Sequence, residues 1–127
     1  MPYAATTSTE KLRFLDSAIS ALERDSTGNA NSLLARALVM RAQVHLDDDK
    51  LSAALTDAQR ATRYDDTQWQ GRAWRCMADV HTCQGHTEAA IQALEHYQRL
   101  QPELTTKIRT EVRALQEQQQ QQDATSY

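Results

Sequence analysis

The sequence predicts an all-α fold, an α-α superhelix built as a stack of helical hairpins with about six helices. Composition is the first observation. Only three glycines and two prolines interrupt 127 residues, aromatics make up 6%, and no run alternates β-branched with polar residues, so a sheet is excluded. The second is a repeat. LDSAISALERD (15–25), LSAALTDAQRA (51–61) and TEAAIQALEHY (87–97) place Ala18, Ala54 and Ala90 at intervals of 36 residues. A fixed period of this length marks a stacked repeat architecture. The third is a second series in the same period, RALVMRAQVH (36–45) against RAWRCMADVH (72–81), continued at Ala114. Two helix types therefore alternate along the chain, here called A and B, in the order B–A–B–A–B–A.

Each element follows from local pattern. Thr7 with Glu10 forms a capping box, and a helix follows over Lys11 to Arg24, striped by Leu12, Leu15, Ile19 and Leu22 and widened by Phe14, Ala18 and Ala21. Asp25 to Asn29 closes it with turn chemistry. A second helix spans Asn31 to Leu46, and one of Asp47, Asp48 and Asp49 is expected to cap the third, Lys50 to Tyr64. In that third helix Ala54, Ala58 and Ala61 let neighbouring helices approach closely, since nothing projects beyond a methyl group. Asp65-Asp66-Thr67 breaks the chain before helix four, Trp69 to Cys83, which Gly85 ends. Helix five covers His86 to Leu100. Pro102 opens helix six, which carries Leu104, Ile108, Val112 and Leu115 and is expected to fray into glutamines 118–122.

The expected organisation is a flexible arm (1–7), a helical repeat domain (8–116) and a polar, glutamine-rich tail (117–127). A net charge of −3 argues against nucleic acid held mainly by electrostatics, and no apolar run approaches membrane-spanning length. Cys76 and Cys83 lie about two helical turns apart, roughly 10 Å, too far for a disulfide. The N-terminus lacks a secretory signal, so the expected location is the cytoplasm, or an organelle interior if a targeting segment has been removed.

With these residues the chain resembles the tetratricopeptide repeat (TPR) family. The family's helix-A positions fall on Leu38, Ala42 and His45, then on Trp74, Ala78 and His81. Its helix-B positions fall on Ala54, Ala58 and Ala61, then on Ala90, Leu94 and Tyr97, with Pro102 at the family's proline and Asp66 at its first occurrence. Departures are the 36-residue period, histidine where tyrosine is usual, and Tyr97 at a small-residue position. The resemblance covers roughly residues 12–115, with an orphan B helix first and an A-like helix last. It implies a non-catalytic adaptor or assembly subunit that holds a protein segment in a groove lined by A helices. The alternative it implies is a co-chaperone that clamps the C-terminal carboxylate of Hsp70 or Hsp90. The clamp positions fall on Val39, Gln43, Arg72 and Cys76.

Candidate groove residues are Arg36, Gln43, Arg72, Arg75 and Asp79. Arg36 and Arg72 share a repeat position, and Arg75 lies a turn beyond, so a row of guanidiniums faces acidic side chains of a partner or is solvated and paired locally. Trp69 either covers the junction beside Tyr64 or acts as an exposed anchor. The first helix has more apolar residues than one face needs. Leu12, Phe14, Leu15 and Ile19 are therefore candidates for contact with a partner or a second copy of the chain. His81, Cys83 and His86 fail as a zinc set, because residues two apart on a helix point to different sides. No nucleophile turn or phosphate loop accompanies any Ser, Cys or His. The expectation is no metal, no cofactor and no catalysis.

Overall fold

A computed structural model describes residues 7–25, 27–28 and 30–124. The fold is all-α. Among the described residues there are six α-helices, α1 (Ser8–Glu23), α2 (Asn31–Asp47), α3 (Leu51–Ala61), α4 (Thr67–Gln84), α5 (Thr87–Leu100) and α6 (Thr105–Ala124), with one 3-10 turn over Pro102–Leu104. Short turns fold each helix back on the one before. α2 pairs with α3 and α4 with α5; α1 lies on α2, α4 packs on both α2 and α3, and α6 lies on α5. Most of the arm, including Tyr3, lies outside the described residues, as do Ser26 and Asn29 of the first turn.

Caps account for the boundaries. Thr7 is the N-cap of α1, its hydroxyl accepting the Glu10 amide at 3.2 Å. The helix therefore starts at Ser8, three residues before the expected Lys11. Asp66 caps α4, accepting the Trp69 amide at 3.0 Å. Gly85 closes that helix at φ +78°, where a side chain would be strained. The aspartate turn departs from expectation, because none of its three carboxylates caps α3. Asp47 accepts the Gln43 amide at 3.0 Å, Asp48 accepts the Ser8 hydroxyl at 2.7 Å, and Asp49 makes the turn at φ +62°. Lys50 stands at the N-cap with no side-chain bond. α6 also departs. It continues through glutamines 118–122 to Ala124 instead of fraying before them, consistent with the helix propensity of glutamine.

The Asp66 cap carries a pH signature. A hydrogen bond from Ser32 and the Trp69 amide hold its carboxyl below the ordinary value. A depressed folded pKa adds stability that is present above the unfolded value of about 3.9 and is lost as pH falls through the folded one. Asp66→Ala is expected to cost about 1 kcal/mol at pH 7. In urea titrations that difference should shrink as pH falls from about 3.9 through the lower folded value; a difference that did not shrink on acidification would contradict the lowered carboxyl.

Two apolar cores run through the stack. Leu15 and Ile19 of α1 join Leu34, Ala37, Leu38, Val39, Ala61 and Ala73 in one, and Ala42, Ala58, Cys76, Met77, Ala78, Ala93, Leu94 and Ile108 make the other. The α3 alanines Ala54, Ala58 and Ala61 are fully buried, as the small-residue stripe requires. Tyr97, the large residue at a small-residue position, has a structural answer. It faces Gly71, where an added Cβ would stand 3.4 Å from the Tyr97 ring and 3.2 Å from the Gln101 amide. One repeat earlier the same two positions hold Ala35 and Ala61, both fully buried. Glycine and tyrosine thus stand where the earlier repeat has two alanines, a small residue making room for a large one.

A polar tie crosses the first three helices. The Arg41 guanidinium of α2 grips Asp57 of α3 through Nε at 2.7 Å and Nη2 at 2.8 Å, and reaches Asp16 of α1 through Nη1 at 2.8 Å. Asp57 is the one buried charged residue among those described. Its bonds raise the Arg41 pKa further above its already high value, against the opposing effect of burial.

Candidate functional site

The exposed side of α2 is a single stripe. Leu33, Arg36, Met40, Gln43 and Asp47 follow one another at spacings of three or four residues and are all exposed. The exposed large hydrophobics among the described residues are Phe14 (75% exposed), Leu33 (53%) and Met40 (44%), so two of the three belong to this stripe. The third faces it. Phe14, Leu15, Met40 and Val44 line a cleft of about 690 Å³ between α1 and α2, with Glu10, Lys11, Gln43 and Asp47 around them. A second hollow of about 380 Å³ adjoins it between α2 and α4, lined by Arg36, Val39, Met40, Gln43, Trp69, Arg72, Arg75 and Cys76. Met40 and Gln43 line both, so the two hollows adjoin along the exposed stripe of α2.

The repeat explains why the cleft is open. Met40 and Val44 of α2 correspond to Cys76 and Val80 of α4, 36 residues on. Cys76 and Val80 are buried, on a helix that has α2 beside it. On its other flank α2 has only α1 among the described helices, and no described helix takes the place equivalent to a preceding A helix.

Trp69 organises the basic end. Its amide is fixed by the Asp66 cap and its ring packs half-buried beside the first core with Tyr64. The guanidinium carbons of Arg72 and Arg36 stand over the ring, 4.8 and 5.7 Å from its centroid. Each such contact is worth about 0.5–1 kcal/mol at an exposed site. Neither arginine forms an ion pair among the described residues, and both are exposed. Trp69 thus covers the junction beside Tyr64, and its ring also carries two cations in the groove.

The remaining candidates are taken up within the chain. Arg75 bonds Glu111 of α6 and pairs with Asp79 at 3.1 Å. Burial opposes its charge, and the two carboxylates more than offset that. Burial raises the Asp79 carboxyl despite Arg75 beside it. Leu15 and Ile19 are core residues, Leu12 is half-buried, and Phe14 alone of that set is fully presented. Gln43 lines both hollows while its amide reaches Asp47. Of the four clamp positions, Val39 and Cys76 are buried and only Arg72 offers a cation. The tryptophan at the other A-helix position, Trp74, stacks on His96 with centroids 4.0 Å apart, a packing role.

No group of three His, Cys, Asp or Glu side chains suited to a metal ion comes together among the described residues, and no described helix is long and apolar enough to cross a membrane. The two thiols differ in kind. Cys76 is buried, and burial pushes its thiol up to about 12; Cys83 is exposed. Because the thiolate is the reactive form, one equivalent should react quickly with a chromogenic disulfide at pH 8, and Cys83→Ser should abolish that phase. Two fast equivalents would contradict the burial of Cys76.

Compared with family models, curated proteins and solved structures, the chain matches none of them. The reading of its function rests on the groove.

Proposed function

We propose that this chain is a non-catalytic adaptor or assembly subunit that binds a segment of another protein along the open α1–α2–α4 groove. The observation that carries the reading is the pairing of Phe14 with Met40 across a 690 Å³ cleft. Folding does not need them there. Exposed apolar side chains that share one concave surface are characteristic of interaction sites, whereas scattered ones need no explanation. The TPR resemblance supports the same surface, since it assigns binding to the face lined by A helices. It also supplies a reason for the open cleft, an orphan B helix without its A partner.

Quantitative pull-down from extracts of the source cells tests the reading. The double variant Phe14→Glu/Met40→Glu is expected to lose specific partners that wild type and the α5 surface variant Gln92→Glu retain. All three positions are exposed, so folding should be preserved. Identical partner sets for the three proteins would overturn it.

A further inference from the structure

The groove is charged at both ends and with opposite sign. Arg36 and Arg72 stand over Trp69 at one end, free of ion pairs among the described residues. Glu10 and Asp47 rim the other end, with Lys11 offsetting one of the two charges. Arg75 adds little to the basic end, because Asp79 and Glu111 hold it. From Arg36 to Asp47 along α2 is eleven residues, about 16 Å or three helical turns. The floor between them is Val39, Met40, Val44, Leu15 and Phe14.

This gradient does not serve α2. A helix is stabilised by acidic groups at its N-terminus and basic groups at its C-terminus. Asp47 is the last residue of α2, and the nearest cation of the stripe, Arg36, lies toward the start. Asp47 therefore runs against the helix's own preference, while Arg36 lies beyond the first turn, where the dipole neither favours nor opposes it. Their arrangement suits something lying above them.

We infer that the occupant of the groove is a charge-polarised amphipathic helix from a partner protein. It lays three to four turns of apolar side chains on Phe14 and Met40, carboxylates over Arg36 and Arg72, and a lysine or arginine over Glu10 and Asp47. The inference rests on the proposed segment-binding function and adds the chemistry of the segment. Apolar contact supplies the affinity, and the two charged ends supply selectivity, as rim charges do at other interfaces. A uniformly acidic helix meets repulsion at the Glu10–Asp47 end, and a uniformly basic one at the arginine end.

Fluorescence anisotropy on the full chain tests this with three labelled 16-residue helical peptides that share one apolar stripe. The first carries two glutamates at one end and two lysines at the other, the second glutamates at both ends, the third lysines at both. The polarised peptide is expected to bind about tenfold more tightly than either control, the sum of two or three modest exposed ion pairs. Salt at 0.5 M should erase most of that difference. Arg36→Glu/Arg72→Glu should bring the polarised peptide to the level of the basic control or below. Equal binding of all three, lost in Phe14→Glu/Met40→Glu, overturns the charge assignment and leaves segment binding standing. Binding of none, or binding that this double variant does not change, overturns both. Sedimentation showing a dimer that Phe14→Glu dissolves would make a second copy the occupant and also overturn the inference.

Discussion

Arg41→Met should destabilise the protein by about 3–5 kcal/mol, the usual cost of stripping a buried carboxylate of its partner. Asp57 is 6% exposed and receives two of the three Arg41 bonds. Its other polar neighbour is the His45 imidazole, 3.7 Å away, which is too long for a good hydrogen bond. Methionine keeps the length of the arginine stem, so packing changes little and the loss measures the orphaned charge. Arg41 also reaches Asp16, so α1 loses a tie to the stack. The double variant Arg41→Met/Asp57→Leu should recover most of the stability, because an apolar pair of similar volume can replace a buried ion pair at little cost. Urea denaturation with a double-mutant cycle checks both statements. An additive double variant would mean that the two residues act independently.

Leu38→Ala should cost about 3–5 kcal/mol, the range for removing a buried leucine where the surroundings cannot collapse. Leu38 is fully buried in the first core, among Leu15 and Ile19 of α1, Ala61 of α3 and Ala73 of α4. Those neighbours come from three other helices, so closing the void would need several helices to move together. Thermal melts and urea titrations should agree, with the slope of unfolding unchanged. A loss below 1 kcal/mol would show that the first core is loosely packed. Trp74, at the same place one repeat later, is only half-buried and stacks on His96. Its removal should perturb the second core less than its size suggests.

Much of this architecture was legible in the sequence, and the limits of that reading have physical causes. The 36-residue period located every helix, because a repeat imposes the same burial on the same positions. The Thr7 cap and the Gly85 stop could be read because each is a local feature, whereas Asp65-Asp66-Thr67 read only as a break and the role of Asp66 as the α4 cap did not show. The aspartate turn could not, since three adjacent carboxylates compete and tertiary partners decide among them. Ser8, forty residues distant, takes Asp48. Nothing local to Arg41 pointed to a carboxylate on the next helix. Nothing beside Gly71 in the sequence pointed to Tyr97, whose ring it faces.

The candidate site was partly visible for the same reasons. Stacking of equivalent positions correctly brought Arg36 and Arg72 together, and Trp69 lies beneath both. Arg75 and Asp79 looked equally available. Glu111 on α6 was the missing fact, and a pair from a distant helix leaves no local signal. In α1 the excess of apolar residues was plain, but periodicity alone does not say which of them a neighbour covers. Folding buries Leu15 and Ile19 and leaves Phe14 out. Met40 escaped notice because methionine on an A helix reads as core. It is exposed because the described chain places no A helix before α2.

The most direct measurement is site-specific photo-crosslinking in the source cells. A benzophenone side chain at position 40 would sit on the groove floor, and one at Gln92 on α5 would sit on a surface assigned no partner. Position 40 is expected to capture one or a few discrete polypeptides that position 92 does not, and Phe14→Glu should suppress the capture. Equal capture from both positions, or none from position 40, would contradict the claim that this groove holds a protein segment.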